Sequence, residues 1–289
     1  MADELHQSVP ESAEKFAFGR NWQNFSGHLT PERIENARGS ISTILGTAQL
    51  SGQTFLDAGS GSGLFSLVAW QLGASVTSFD ADPDSVACTR SLKQKHADAS
   101  ENWSVLDGSL LDHKFVSQLG CFDTVYCWGV AHHTGHMWDA LAALAKAVAE
   151  DGLLVVAIYN DQGFSSRIWT VIKRLYNWTP RLLQPAYAAC VGGVLFAFRL
   201  ATTILAMSLR IFRLKNPMVP LNRWYRERPQ RGMSWWHDLV DWVGGWPFEV
   251  ARPCEIFTFF RDRGFTLVRM ETTPGSGCNE FVFRRANDR

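Results

Sequence analysis

Apolar and polar positions along the chain fall into short hydrophobic runs separated by stretches of helical spacing, most clearly over residues 53–159. Residues 54–57 are a compact, mostly apolar run that stops at a glycine-rich turn, the pattern of a buried strand. Leu64, Leu67, Val68 and Leu72 then recur at helical spacing up to Gly73. A second strand is expected over 75–79, ending at Asp80, and Asp82 with Pro83 opens the next helix as N-cap and first position. Residues 103–106 and 122–128 read as a third and a fourth strand, 138–149 as a helix stopping near Gly152, and 153–159 as a fifth strand. Such alternation predicts an α/β fold, a parallel sheet with helices on both faces and ligands outside the carboxyl ends of the strands. Further on, a helix over 255–263 stops at Gly264. Strands over 265–270 and 279–284 flank a turn at 273–277, an antiparallel hairpin on the sheet edge. Before the first strand, a helix begins at Pro31, capped by Thr30.

Composition changes this picture in one respect. A hydrophobic share of 46% and a charged share of 19% exclude global disorder, and 28 basic against 28 acidic residues leave no net charge. The neutrality hides an asymmetry. Residues 167–231 hold ten Arg and two Lys against one acid, Glu227, a net +11, so the remainder carries −11. The six Cys include no C-x-x-C pair and no zinc spacing, which points to reduced thiols and a cytoplasmic compartment. The polar, acidic first residues lack the basic-then-apolar pattern of a secretory signal.

The chemistry concentrates at the first turn, Asp57-Ala58-Gly59-Ser60-Gly61-Ser62-Gly63. Glycines let backbone turn sharply and approach a ligand, and the helix N-terminus beyond presents N–H groups to polar atoms. Asp80, ending the second strand, can accept both hydroxyls of a ribose. The spacing differs from the dinucleotide pattern G-x-G-x-x-G. Asp57 would also repel a pyrophosphate while suiting a cationic amino-acid head, which disfavours a nicotinamide enzyme.

Residues 56–63 (Leu-Asp-Ala-Gly-Ser-Gly-Ser-Gly) resemble motif I of class I S-adenosylmethionine (SAM)-dependent methyltransferases. Phe79-Asp80-Ala81-Asp82 is similar to the second motif of that family. Gly108-Ser109-Leu110-Leu111-Asp112 is similar to the segment that frames adenine, with Ser109 where many members have Asp. Residues 122–133, which include Trp128-Gly129-Val130-Ala131-His132-His133, resemble the fourth-strand motif, most nearly in the branch with quinone-biosynthesis O-methyltransferases. The resemblance implies a Rossmann-like, seven-stranded sheet with an antiparallel last strand, and SAM as cofactor. Asp57, Gly59, Ser60, Gly61 and Gly63 would cradle the methionine end, with Asp80 and Ala81 at the ribose, Ser109 and Leu110 beside adenine, and Trp128, Gly129 and Val130 lining the cleft.

Around this centre stand further candidates. The aromatic segment 16–25 suits a lid, in which Arg20 could pair with a carboxylate, Trp22 cover a sulfonium and Phe25 touch substrate; packing on the core is the equal alternative. His132, His133 and His136 cluster beyond the fourth strand and are candidates for a general base, though a structural role is usual for the His at position 133. No acid or Cys completes a metal set with them. Tyr159 and Asn160 follow the fifth strand and could contact substrate, against the plainer reading of a polar turn.

Residues 186–209 are a 24-residue run with one charge, Arg199. A single membrane crossing would strand the last strands on the wrong side. At about 100° per residue, Arg199, Arg210 and Arg213 fall within about 60° of one another, with Thr203 and Ala206 between them, a polar stripe on an apolar helix. Three readings stay open: a buried or homodimer-interface helix, an interfacial helix on an anionic membrane, and a tunnel for a lipophilic substrate. The flanking Trp with Lys and Arg suits a membrane–water interface and also a nucleic-acid surface.

Four segments are expected: a helical lid segment (1–50), a SAM-binding core (51–159), a basic, Trp-rich helical insertion (160–252) and a C-terminal helix and hairpin completing the core (253–289). The expected activity is methyl transfer from SAM to a small lipophilic or aromatic hydroxyl, with the 167–231 region contacting an anionic membrane from the cytoplasmic side. The alternatives are a nucleic-acid methyltransferase that grips through the insertion and a non-enzymatic scaffold on the same fold.

Overall fold

Each apolar run of the core becomes a strand and each helically spaced stretch a helix in the computed structural model, which describes residues 29–97, 100–226 and 235–286. In chain order the elements are α1 (Pro31–Leu45), β1 (Thr54–Ala58), α2 (Leu64–Gln71), β2 (Ser75–Asp80), α3 (Pro83–Ala97), β3 (Trp103–Asp107), α4 (His113–Gln118) and β4 (Phe122–Trp128). A 3-10 turn (Ala131–His133), α5 (Met137–Lys146), β5 (Val148–Tyr159), α6 (Phe164–Trp178) and α7 (Gln184–Phe212) follow. The chain ends with α8 (Val219–Arg226), α9 (Trp235–Gly244), α10 (Pro253–Arg261), β6 (Phe265–Glu271) and β7 (Cys278–Arg285).

The seven strands form one sheet in the order β3-β2-β1-β4-β5-β7-β6. β1 to β5 run parallel, and β7 is antiparallel to both β5 and β6, so the expected sheet with a reversed last strand is present. The hairpin sits at the edge with β6 outermost and β7 slotted against β5. Alternation of side chains across the strands splits the core in two. Leu56, Ala58, Phe79, Val125 and Val156 join one cluster with α5 and α10. Phe55, Val76, Tyr126, Val155 and Val282 join the other with α1 and α2.

Local signals act as expected at three ends. Thr30 accepts the Arg33 N–H at 3.4 Å, Asp82 accepts the Asp84 N–H at 2.9 Å, and Gly73 turns at φ 98°. One boundary differs. The helix expected to reach residue 149 ends at Lys146, because Val148 already pairs with Phe122 as β5 begins. Gly152 is therefore no helix stop. It lies within β5 after left-handed Asp151 (φ 58°), where a Cβ would come within 2.8 Å of the Ala149 carbonyl oxygen.

The chain divides into two compact units, residues up to 168 with 247 onward, and 169–246. In the second unit α7 carries the apolar run. Only 11% of its most apolar window is buried, so the described residues do not bury this helix. The stripe around Thr203 also does not face solvent as a whole. Thr203 is buried and donates to the Arg199 carbonyl at 2.8 Å, Ala206 and Arg210 are half-buried, and most of the exposed α7 surface is apolar.

Candidate functional site

The turn between β1 and α2 places a carboxylate and three left-handed glycines at the carboxyl end of the sheet. Gly59, Gly61 and Gly63 adopt φ of 86°, 54° and 77°. A Cβ on Gly59 would come within 2.5 Å of the Val130 side chain, and one on Gly63 within 3.0 Å of Thr89. The turn is thus bare backbone by necessity, the surface a ligand can approach closely. Ser60 is buried, its hydroxyl 3.0 Å from that of Thr89.

Asp57 is buried, in register with Ser78 of β2 and Tyr126 of β4. Burial pushes its carboxyl up to about 7, the Ser66 hydroxyl opposes that shift, and the nearby Asp80 adds to it. The Ser66 bond is short, 2.5 Å, and belongs to a chain. The Trp103 indole N–H donates to the Ser78 hydroxyl, which donates to Ser66, each at 2.8 Å. Both hydroxyl protons run toward Asp57, and the indole nitrogen, which only donates, stands at the far end of the chain. All four side chains are buried.

Asp80 ends β2 with both oxygens held by backbone. Gly61 N–H donates to Oδ2 and Asp82 N–H to Oδ1, each at 2.9 Å. Burial raises its carboxyl above the usual range, and the N–H groups of Asp82, Gly61 and Ala81 oppose the shift. A carboxylate has about four lone-pair sites, so these bonds leave acceptors for a diol. Asp80 ties the glycine turn to β2 and faces the ligand edge at once.

The other expected contacts lie near the same strand ends. Leu110 is buried after β3, and the Ser109 hydroxyl accepts the Leu111 N–H at 3.2 Å. Trp128 ends β4 and Gly129 and Val130 follow it, all three half-buried, with the Trp128 ring stacked on Tyr126 at 5.6 Å. Arg20, Trp22 and Phe25 lie outside the described residues.

The three histidines part company. His132 is fully buried and its Nδ1 accepts the Tyr159 N–H at 3.3 Å, so the lone pair of its neutral ring is engaged. His133 Nδ1 lies 2.6 Å from the Pro247 carbonyl oxygen. A carbonyl can only accept, so Nδ1 carries the proton and Nε2 the lone pair. His136 is exposed, 3.8 Å from Asp139. Among the described residues no group of three or more His, Cys, Asp or Glu is placed to hold a metal. Tyr159 packs on both His132 and His133, with ring centroids 3.9 and 5.4 Å away. Asn160 spends its amide donor on the Thr273 carbonyl (2.9 Å) and its acceptor on Asn279 (3.1 Å), a structural tie to the turn before β7.

Sequence reasoning missed Ser66, Ser78 and Trp103, and the buried Tyr126 hydroxyl, which has no hydrogen-bond partner. The available signal was polarity on inward positions: Ser66 inside an apolar helix, and Ser78 two residues after Val76 on one strand face.

A glycine cradle at a β1–α2 turn, an acid ending β2 and a seven-stranded sheet with a reversed strand define a class I SAM-dependent methyltransferase. A family model described as a methyltransferase domain matches residues 31–268, and the chain belongs to that family. Within it the chain is 29% identical over 163 residues to a ubiquinone biosynthesis O-methyltransferase of Xanthomonas euvesicatoria, covering 54% of this chain and 62% of that protein. It is 38% identical over 111 residues to the mitochondrial ubiquinone biosynthesis O-methyltransferase of Schizosaccharomyces pombe, covering 37% and 38%. The chain thus spans less than two thirds of either relative. Magnesium protoporphyrin IX methyltransferase from Synechocystis, solved with bound SAH, is similar in fold at 16% identity, with a TM-score of 0.50 over 88% of this chain and 84% of that one.

Proposed function

We propose that this chain transfers the methyl group of SAM to a hydroxyl of a small lipophilic or aromatic acceptor, working in the cytoplasm at the inner face of a membrane. The observation that carries the donor side is the pairing of buried Asp57 with the left-handed glycine turn. A carboxylate buried without a cationic partner is costly, and the ammonium of an amino-acid ligand supplies that partner. The O-methyltransferase relatives support a hydroxyl acceptor.

SAM supplies a methyl group made electrophilic by its sulfonium. The protein's part is alignment and proton handling. Asp57 holds the ammonium, Ser60 and the bare glycine backbone border the methionine end, and Asp80 accepts from the ribose hydroxyls. Ala81 follows Asp80 at the ribose, Ser109 and Leu110 border the adenine, and Trp128, Gly129 and Val130 line the cleft. His133, oriented by the Pro247 carbonyl, takes the acceptor's hydroxyl proton at Nε2, and Tyr159 packs beside it. With SAM bound, the oxygen would be placed to bond the methyl carbon as the carbon–sulfur bond breaks, leaving the demethylated product.

Calorimetric titration with SAM and its demethylated product, beside NADH, on wild type and Asp80→Ala tests the donor site. SAM binding that the variant weakens tenfold or more, about 1.4 kcal/mol, is expected. A folded protein that ignores SAM overturns the reading and leaves the scaffold alternative. Methyl incorporation into nucleic acid, in place of small hydroxyl compounds, would instead favour the nucleic-acid reading.

A further inference from the structure

α6 is amphipathic with its polarity turned inside out. Phe164, Ile168, Val171, Leu175 and Trp178 recur at intervals of four and three residues, one helical face, and every one is exposed. Phe164 is 76% and Trp178 72% accessible. The buried side of the same helix holds Lys173, fully buried, and Tyr176. The Lys173 ammonium donates to the Trp242 carbonyl and lies 4.8 Å from the Trp242 ring centroid. A soluble helix does the reverse.

α7 is exposed more widely still, with residues 193–202 exposed on every side of the helix. It is joined to α6 through Tyr187, whose hydroxyl donates to the Ile172 carbonyl at 3.1 Å, and through Gln184, which donates to the Tyr176 and Thr179 carbonyls. Ala188, Gly192 and Thr203 mark its inward stripe, and α8 and α9 pack against it. The rest, including Val194, Phe196, Phe198, Ile204 and Leu205, is exposed. Residues 162–226 contain ten Lys and Arg and no Asp or Glu.

We propose that the exposed faces of α6 and α7 dock on one leaflet of an anionic lipid bilayer, with the helices lying in the membrane plane. This gives a mode to the peripheral placement proposed above and holds whichever acceptor is methylated. Charge selects the occupant. With Lys173 buried, nine cations without a carboxylate in this segment complement anionic headgroups, whereas a symmetric contact with a second copy would bring like charges together. The exposed surface is largely aliphatic and Phe, which suits acyl chains and offers few groups for stacking on bases.

Topology selects the mode. At 29 residues α7 is about 43 Å long, enough to span a bilayer. It cannot do so as a single span. β5 precedes it and β7 follows it, yet they pair in one sheet from Leu153↔Arg284 to Tyr159↔Cys278. Both ends of the unit must therefore stay on one side of the membrane. Arg199 sits at mid-helix on an exposed position and can extend its charge to the headgroups from an in-plane helix.

The test is co-sedimentation of the full chain with vesicles of phosphatidylcholine alone, and of phosphatidylcholine with 30% phosphatidylglycerol. Binding to the mixed vesicles is expected, at least tenfold stronger than to the neutral ones. Val194→Glu with Phe198→Glu should abolish it, and Arg213→Gln with Lys215→Gln should weaken it roughly 30-fold, from about 1 kcal/mol per basic residue. SAM affinity, measured on each protein, should stay unchanged and reports both folding and the donor site separately. Vesicle-independent behaviour by a chain that still binds SAM overturns the proposal. So does a salt-stable dimer that the Val194→Glu, Phe198→Glu variant splits, or tighter binding to DNA or RNA than to the anionic vesicles.

Discussion

Ser66→Ala isolates the hydroxyl that ends the chain from Trp103 to Asp57. A hydrogen bond to a charged group is worth about 1.5–3 kcal/mol, or about 1–2 pK units on the carboxylate it serves. Asp57 stands at about 7 with that bond in place. Without it the carboxyl should move to about 8–9, since Asp80 on β2 still repels it and Tyr126 on β4, pushed well above 10 by burial, stays neutral. If the ionised form takes the ammonium of SAM, affinity follows the ionised fraction. At pH 7.5 that fraction is about 75% in wild type and about 3–25% in the variant, a weakening of about 3- to 25-fold.

The assay is calorimetric SAM affinity from pH 6 to pH 9.5. The wild-type to variant ratio should be largest at the acid end of this range, shrink as pH rises through neutrality and collapse to within about 1.5-fold at pH 9.5, where both carboxyls are mostly ionised. Titration of the SAM amine is common to both proteins and cancels in the ratio. Ser78→Ala, one bond further from Asp57, should produce a smaller shift in the same direction. A loss of affinity that is constant across pH would show Ser66 to act by packing alone, and an unchanged affinity at pH 7.5 would refute the network's role. Asp57 also sets a stability trend. Its folded value lies above its unfolded 3.8, so the free protein binds that proton more tightly than the unfolded chain does. Stability should then fall as pH rises from about 4 to about 7 and level off above, by up to about 4 kcal/mol from this group, read by urea unfolding without ligand.

Gly59→Ala must accommodate a Cβ 2.5 Å from Val130 at a φ of 86°, so it should cost about 1–3 kcal/mol and reduce SAM binding more than tenfold, checked by chemical unfolding and titration. Tyr126→Phe removes a buried hydroxyl that has no hydrogen-bond partner, so the free protein should gain stability, by up to about 1 kcal/mol; a loss of that size would mean that the hydroxyl is satisfied in solution. With an acceptor in hand, His133→Gln should lower kcat with SAM affinity unchanged, while His132→Gln should act mainly through stability; the opposite pattern would reassign the base.

Strand pattern and turn chemistry made most of the core legible. Asp57, the three glycines and Asp80 are neighbours in sequence because a β1–α2 turn and the next strand end supply them, so local reading found them. The serine chain was not legible because its members come from three elements, α2, β2 and β3, and meet only when the strands align Asp57 with Ser78. The distinction among His132, His133 and His136 was equally hidden. It rests on one carbonyl, that of Pro247, which is 114 residues away in sequence from the ring it orients. Helix 138–149 was overextended for a related reason: a pairing partner, Phe122, claims Val148 for a strand before the helical pattern runs out.

The insertion shows a different kind of limit. Spacing alone reveals that positions 164, 168, 171, 175 and 178 share a face, but it does not say what that face meets. The usual inference, that an apolar face turns inward, assumes water outside. Here Lys173 and Tyr176 occupy the inward side, and the hydrophobic effect that places Phe55 or Phe260 at the centre of the core leaves Phe164 and Trp178 outside. The same force can account for both only if the solvent differs at the two places. A lipid leaflet is the medium that makes α6 a conventional amphipathic helix again and shelters the apolar residues of α7, and the pairing of β5 with β7 confines both to one side of it.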